Sequence, residues 1–191
     1  EAGRHGVPVA AHAHATSGIN QAIRAGVRSI EHGTYLDEES IQLMVQHGTF
    51  YVPTIYVGDH YAATDQLLAQ EKNDDIYLNY RDEWLRRIGL AHRSGVKIVV
   101  GADLGGFNIP PNAYAREIKV LTEAGLSPMA AIMAATSVAA EMLRWEDKIG
   151  TLQADRYADI IGVAGNPLDD LSLLEFPVFV MKGGKVIDLD K

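Results

Sequence analysis

The sequence predicts an α/β fold in which parallel β-strands alternate with α-helices. Four glycines each close a polar or helical stretch and are followed at once by a β-rich run: Gly6, Gly26, Gly48 and Gly95. Glycine just past a helix is the expected left-handed cap. The runs that follow cover residues 7–13, 27–30, 49–55 and 96–100. Strands that alternate with helices form right-handed βαβ units, and these build a parallel sheet.

Capping residues and apolar periodicity place the helices between these strands. Ser17 is the predicted cap of the first helix, and Asp37 is the predicted cap of the second. Ser127 followed by Pro128 is a strong start signal for the last helix. Further helices are therefore expected over residues 81–92, 113–124 and 127–141.

The chain changes character after Trp145, where short β segments replace the helices. The segments predicted are 150–152, 158–163, 178–181 and 185–188. Gly183 and Gly184 separate the last two, and a Gly-Gly pair is a two-residue hairpin signal. We therefore expect a first domain over residues 1–145 and a second over 146–191.

Composition narrows the classes of function. The 191-residue chain has a formal net charge of −8 and no stretch rich in Lys and Arg, which makes nucleic acid an unexpected partner. It has no cysteine, so a metal would have to be held by His, Asp or Glu. No apolar run is long enough to cross a membrane, and we expect a cytoplasmic protein.

Polar side chains fall in register at the strand ends. His12 and His32 each lie six residues after a capping glycine, as does Thr54, and Asp103 lies eight residues after one. The carboxyl ends of parallel strands are where sheets and barrels keep their active sites. His14, two residues after His12, points to the same face of its strand. A single strand-end histidine is more often structural than a ligand, so the prediction of a site depends on the joint pattern.

The segment between Tyr56 and Arg81 is long, polar and aromatic, and it follows the end of a strand. Such a segment would lie over the mouth of a barrel, where it could act as a lid. An ordinary surface excursion with its own short helix explains it equally well.

Several stretches together resemble the amidohydrolase superfamily, in particular its imidazolonepropionase-like and prolidase-like (Xaa-Pro dipeptidase) branch. The resemblance covers nearly the whole chain. The stretches that carry it are Val9-Ala-Ala-His-Ala-His14, Ser29-Ile-Glu-His-Gly33, Val52-Pro-Thr54, Gly101-Ala-Asp103, Ala158-Asp-Ile-Ile161 and Gly165-Asn-Pro-Leu168.

The resemblance implies both a fold and a chemistry. Residues 1–145 would form strands five to eight of a TIM-like (β/α)8 metallo-hydrolase barrel, and residues 146–191 the C-terminal strands of a small β-sandwich. His12 and His32 would bind a divalent metal, most readily zinc, as one ion or two. Asp103 would bind metal and accept a proton from the attacking water, and His14 would contact substrate. The implied reaction is hydrolysis of an amide or peptide C–N bond in a small-molecule or dipeptide substrate, as in a dipeptidase.

Two features of the branch have no counterpart in this sequence: the His-x-His of strand one and the carboxylated lysine of strand four. We therefore expect this chain to hold only part of the site, completed by a missing N-terminal half, and we also consider a homo-oligomer. One alternative is a non-catalytic half-barrel that self-associates or binds without turnover. Another is a flavodoxin-like open sheet with a binding role, which the absence of a phosphate loop and the β-rich tail disfavour.

Overall fold

Three parallel strands form the first sheet of the computed structural model, which describes residues 1–64, 74–105 and 108–189. The strands are β1 (Ala10–Ala13), β2 (Ser29–His32) and β3 (Phe50–Val52), in the order β1-β2-β3. Helix α1 (Thr16–Arg24) connects the first two, and helix α2 (Glu38–His47) connects the second pair. The parallel sheet and its helical crossovers confirm the predicted α/β class.

The four glycines predicted to cap the preceding segments all adopt a left-handed backbone. Their φ angles are 67° at Gly6, 84° at Gly26, 64° at Gly48 and 93° at Gly95. A residue with a Cβ atom is disfavoured at such angles, so glycine here fixes where each strand begins.

The fourth predicted strand is present only as a short bridge. Ile98 pairs in parallel with Tyr51, whose N–H donates to the Lys97 carbonyl at 3.0 Å. The Val99 N–H donates to the Tyr51 carbonyl at 2.9 Å. The next N–H, that of Val100, leaves the ladder and donates to the Ala134 carbonyl at 3.1 Å. Residues 96–100 therefore lie beside β3 but do not make a full strand.

Five further α-helices follow β3 in the described parts of the chain. They are α3 (Ile55–Thr64), α4 (Asp74–Arg93), α5 (Ala113–Glu123), α6 (Pro128–Ala135) and α7 (Ser137–Met142). Part of the predicted lid, residues 65–73, lies outside the described residues, so a lid stays a prediction. Two predicted caps are confirmed, since Asp37 accepts from the Ser40 N–H at 2.8 Å and Ser127 from the Ala130 N–H at 3.2 Å.

Two helix predictions are wrong. Helix α1 begins at Thr16 with Ala15 as its N-cap, and it has no side-chain cap because alanine carries no hydrogen-bonding group. Ser17 therefore lies inside the first turn. The helix expected over 127–141 is broken at Thr136, whose φ and ψ are −127° and −92°. The break frees the Ala134 carbonyl to accept the Val100 N–H.

The second sheet is antiparallel and lies in the last part of the chain. It contains β4 (Ile160–Gly162), β5 (Phe179–Lys182) and β6 (Lys185–Val186), in that order. Gly183 and Gly184 form the predicted hairpin turn, with φ angles of 56° and 76°. The strand predicted over 150–152 is wrong, because Gly150 adopts φ 87° and packs closely against α7. The division into two domains at residue 146 stays a prediction.

The main core lies between the parallel strands and the helices that cover one of their faces. Ile19, Ile23 and Met44 from the helices and Ile30 from β2 are fully buried there. A hydrogen bond of 2.6 Å from the Ser40 hydroxyl to the buried Asn20 side chain joins α1 and α2. Within the described ranges, no helix combines the length and apolar character needed to cross a membrane.

Gly33, directly after β2, permits a close approach that a larger residue would prevent. A Cβ atom there would lie 2.6 Å from the ring of Tyr51, and φ is 56°. We expect Gly33→Ala to lower the free energy of unfolding by about 2–4 kcal/mol, through overpacking and backbone strain together.

Gly48→Ala is the matched control, because φ is 64° there and nothing lies within 4 Å of the added methyl. Only the backbone cost of roughly 1 kcal/mol is expected for it. Chemical denaturation of both variants measures the difference. Equal losses of stability would show that the contact with Tyr51 does not matter.

Candidate metal centre

Three imidazoles meet at the carboxyl ends of β1 and β2. One ring nitrogen from each of His12, His14 and His32 lies within 4.8 Å of the others. The ring centroid of His12 is 4.6 Å from that of His14 and 4.5 Å from that of His32. Neutral imidazole nitrogen is a common ligand for zinc and related divalent ions. The sequence register therefore brings together the two histidines predicted as ligands, with His14 beside them.

The left-handed backbone of His32 explains how its ring joins this group. In the parallel register His12 lies beside Glu31, while Ala13 lies beside His32. Ala13 and Ile30 pack against the helical core, and regular alternation would turn His32 toward the same side. His32 instead has φ 66°, and its ring lies against His12. Sequence alternation alone does not reveal this reversal.

Thr54 fixes which nitrogen of His32 carries the proton. The Thr54 hydroxyl donates its one hydrogen to the Pro53 carbonyl at 2.7 Å. His32 Nδ1 lies 2.7 Å from the same hydroxyl oxygen, so the ring donates in this hydrogen bond when the hydroxyl hydrogen is directed at the Pro53 carbonyl. With the proton on Nδ1, the lone pair of Nε2 is left for a ligand. Sequence analysis placed Thr54 in register with the histidines but gave it no role.

His14 has a similar partner on the neighbouring loop. Its Nδ1 lies 2.8 Å from the Thr34 hydroxyl, two residues beyond His32. The contact restrains the ring, which stacks on His32 with the centroids 4.9 Å apart. Each of these two histidines thus keeps one ring nitrogen engaged and presents the other.

The electrostatic setting favours the neutral imidazole of His14 and of His32. Burial lowers the pKa of His32, the neighbouring His12 and His14 lower it further, and Asp103 raises it. Burial and His12 also lower the pKa of His14. A ring must lose its proton before its nitrogen can bind a metal, so these shifts prepare the group for a cation.

Two aromatic residues hold the backbone at His32 through hydrogen bonds. The Tyr51 hydroxyl donates to the His32 carbonyl at 3.0 Å and accepts from Trp84 Nε1 at 2.9 Å. Tyr51 is fully buried, and Trp84 comes from α4. This chain of hydrogen bonds ties the left-handed turn to the core.

Asp103 lies outside the histidine group but acts on it electrostatically. Its charge raises the pKa of His32, of Glu31 and of Tyr61 in α3, although burial is the larger influence on all three. The residue is exposed and has φ 45°, so it shares a left-handed backbone with His32 and Thr54. Strained angles of this kind cluster at functional sites. Whether Asp103 contributes a ligand stays a prediction.

Parallel α/β sheets and barrels keep their active sites at the carboxyl ends of the strands, where this histidine group lies. The sequence profile of the amidohydrolase family matches residues 1–187, and the chain belongs to this family.

One sequence relative and two solved structures show which members of the family this chain resembles. The chain is 34% identical over 192 aligned residues to the ochratoxinase of Aspergillus niger, across 97% of this chain and 39% of that protein. A Xaa-Pro dipeptidase solved with methionine in its active site superposes with a TM-score of 0.86 at 37% identity, over 98% of this chain and 46% of that one. A prolidase solved with N-methylphosphonate-L-proline gives a TM-score of 0.82 at 27% identity, over 98% and 47%.

These matches confirm the predicted fold. The chain corresponds to part of a prolidase-like TIM barrel, with the parallel strands and the antiparallel tail in the expected places. It spans less than half the length of these relatives.

Proposed function

We propose that the protein is a metal-dependent hydrolase of amide or peptide C–N bonds, a dipeptidase or a related amidohydrolase. The observation that carries the proposal is the group formed by His12, His14 and His32 at the carboxyl ends of adjacent parallel strands. The similarity to a Xaa-Pro dipeptidase and to an ochratoxinase supports amide hydrolysis as the reaction.

The residues present fit a divalent metal. His32 offers Nε2 because Thr54 engages Nδ1, and His12 lies against it with its ring edge-on. In this proposal His12 and His32 are ligands, and zinc is the first choice because the donors are imidazoles. A bound ion of this kind lowers the pKa of water and polarises a scissile carbonyl. Ligands supplied from outside this chain would complete the centre.

Asp103 is the proposed proton acceptor. It follows the segment that pairs with β3, its charge raises the pKa of His32, and its exposure leaves it open to a substrate. A carboxylate in this place can take a proton from the attacking water and return it to the leaving amine.

The proposal is tested with the protein in its full natural length. We expect hydrolysis of dipeptides or N-acyl amino acids that is lost on chelation and restored by zinc. Loss of activity without restoration by any divalent metal would argue against a role of the metal in the reaction. Full activity in the chelated protein would contradict the proposal outright.

The geometry allows two roles for His14, and a substitution distinguishes them. If it contacts substrate, as predicted from the sequence, His14→Ala raises KM about 10–100-fold and leaves zinc affinity unchanged, because one hydrogen bond to a charged group is worth roughly 1.5–3 kcal/mol. Isothermal titration with zinc and steady-state kinetics measure the two effects. A large loss of zinc affinity would instead assign His14 as a third ligand.

A non-catalytic, self-associating half-barrel is the second candidate, and the exposed edge of β1 favours it. Among the described residues β1 pairs with β2 alone, and Val7 and Val9 beside it are 56% and 40% exposed. Open strand edges invite association. Sedimentation of the chain tests this candidate, because a monomer at micromolar concentration would exclude it.

A further inference from the structure

Glu117 is a buried carboxylate that no part of the proposed chemistry uses. It lies in α5 with no exposed surface. Its two oxygens accept from the backbone N–H groups of Ile55, at 3.0 Å, and Tyr56, at 2.7 Å. Burial raises the pKa of Glu117 to about 7, although the hydrogen bonds from Tyr56 and Ile55 lower it. A buried carboxylate needs such partners, and the N–H groups of the first turn of α3 supply them.

These N–H groups follow Thr54 directly, and Thr54 is the partner of His32. Its φ of 53° is unfavourable for a β-branched residue, so the surrounding structure must hold it in place. Glu117 thus anchors the backbone directly after Thr54. The Thr54 hydroxyl oxygen lies 2.7 Å from His32 Nδ1.

We propose that Glu117 is a positioning residue for His32, acting through the backbone and hydroxyl of Thr54. This inference rests on the proposed function, in which His32 is a metal ligand, and it adds a positioning residue to that metal site. Partners of ligating histidines set the tautomer and ring orientation, and their loss costs about 10–100-fold in metal affinity. Glu117 would act on Thr54, and Thr54 is the hydrogen-bond partner of His32.

Glu117→Gln tests the inference with little change of volume. An amide has one accepting oxygen, and its NH₂ group would face backbone N–H donors, so the anchor at α3 is weakened. Glu123→Gln is the matched control: Glu123 lies on the same helix but pairs with Arg81 at the surface, at 2.9 Å. Thr54→Val removes the hydroxyl, keeps the side-chain shape and leaves Glu117 intact.

The readout is the tautomer of the His32 ring in the full natural chain, measured without metal from ¹⁵N-histidine NMR spectra. Unmodified protein and Glu123→Gln should show the proton on Nδ1. Glu117→Gln and Thr54→Val should both show a mixture of tautomers. In each of these two variants zinc affinity should fall about 10-fold or more. The double variant should be no worse than Thr54→Val alone, because both act on one path.

Wild-type ring signals in folded Glu117→Gln, or losses that add fully in the double variant, would overturn the inference. If Glu117→Gln does not fold, wild-type ring signals in Thr54→Val would overturn it as well. Failure of the unmodified protein to bind zinc would contradict the proposed function instead. The ring spectrum would then still decide whether Glu117 controls His32.

Discussion

Replacing Asp103 by Asn is expected to lower kcat by about 10²–10⁴-fold, the usual contribution of a general acid–base group. Asparagine keeps the size of the side chain but cannot accept the proton. Asp103 is exposed, so the substitution should leave the fold intact. The rate is measured with a dipeptide on the protein in its full natural length, after its zinc content has been determined.

Zinc content separates two ways in which this substitution could act. If Asp103 is only a proton acceptor, the variant keeps its zinc and loses its rate. If Asp103 also binds the ion, both fall together. Asp147→Asn, in an exposed turn, is the control and should behave like the unmodified protein. A near-normal rate for Asp103→Asn would remove this residue from the mechanism.

His32→Ala is expected to have the largest effect on metal binding. The substitution removes a proposed ligand, so the loss of zinc affinity should exceed the roughly 10–100-fold that a residue supporting a ligand is worth. His12→Ala should behave similarly, because its ring lies 4.5 Å from that of His32. Isothermal titration of the metal-free protein with zinc provides the measurement.

His47→Ala is the matched control for both substitutions. His47 occupies the last turn of α2, where its location at a helix end agrees with a structural role. Its removal should leave zinc affinity unchanged. Equal zinc affinity in His32→Ala and His47→Ala would mean that the histidine group is structural.

The backbone framework could be predicted because local rules determine it. The four capping glycines adopt left-handed angles, and Asp37 and Ser127 cap their helices as their residue types suggest. Short-range signals of this kind need only a few neighbouring residues, which the sequence displays directly.

The wrong predictions arise where tertiary contacts override local preference. Ser17 is not the cap because the helix begins one residue earlier, at Thr16, whose hydroxyl donates to the distant Tyr35 carbonyl. The helix over 127–141 is broken at Thr136, and the Ala134 carbonyl accepts the Val100 N–H instead of continuing the helical ladder. No pattern in the neighbouring sequence predicts where the Val100 N–H will lie.

The candidate site was predictable only in outline. Strand-end register indicated His12, His32 and Asp103, because parallel strands end at one edge. The turn that points the His32 ring at His12 depends on a left-handed backbone and on Tyr51 and Thr54, which are distant in sequence. Glu117 is further still along the chain. A side chain that acts through the backbone of another element leaves no signal in spacing or periodicity.

X-ray absorption at the zinc edge tests the central claim most directly, with the purified, full natural protein and its His12→Ala/His32→Ala double variant. We predict that the unmodified protein binds zinc with a spectrum that contains imidazole scattering from two or more ligands. The double variant should lose that scattering together with most of its zinc. Zinc bound without imidazole, or the same spectrum in both proteins, would contradict a metal centre built on these two histidines.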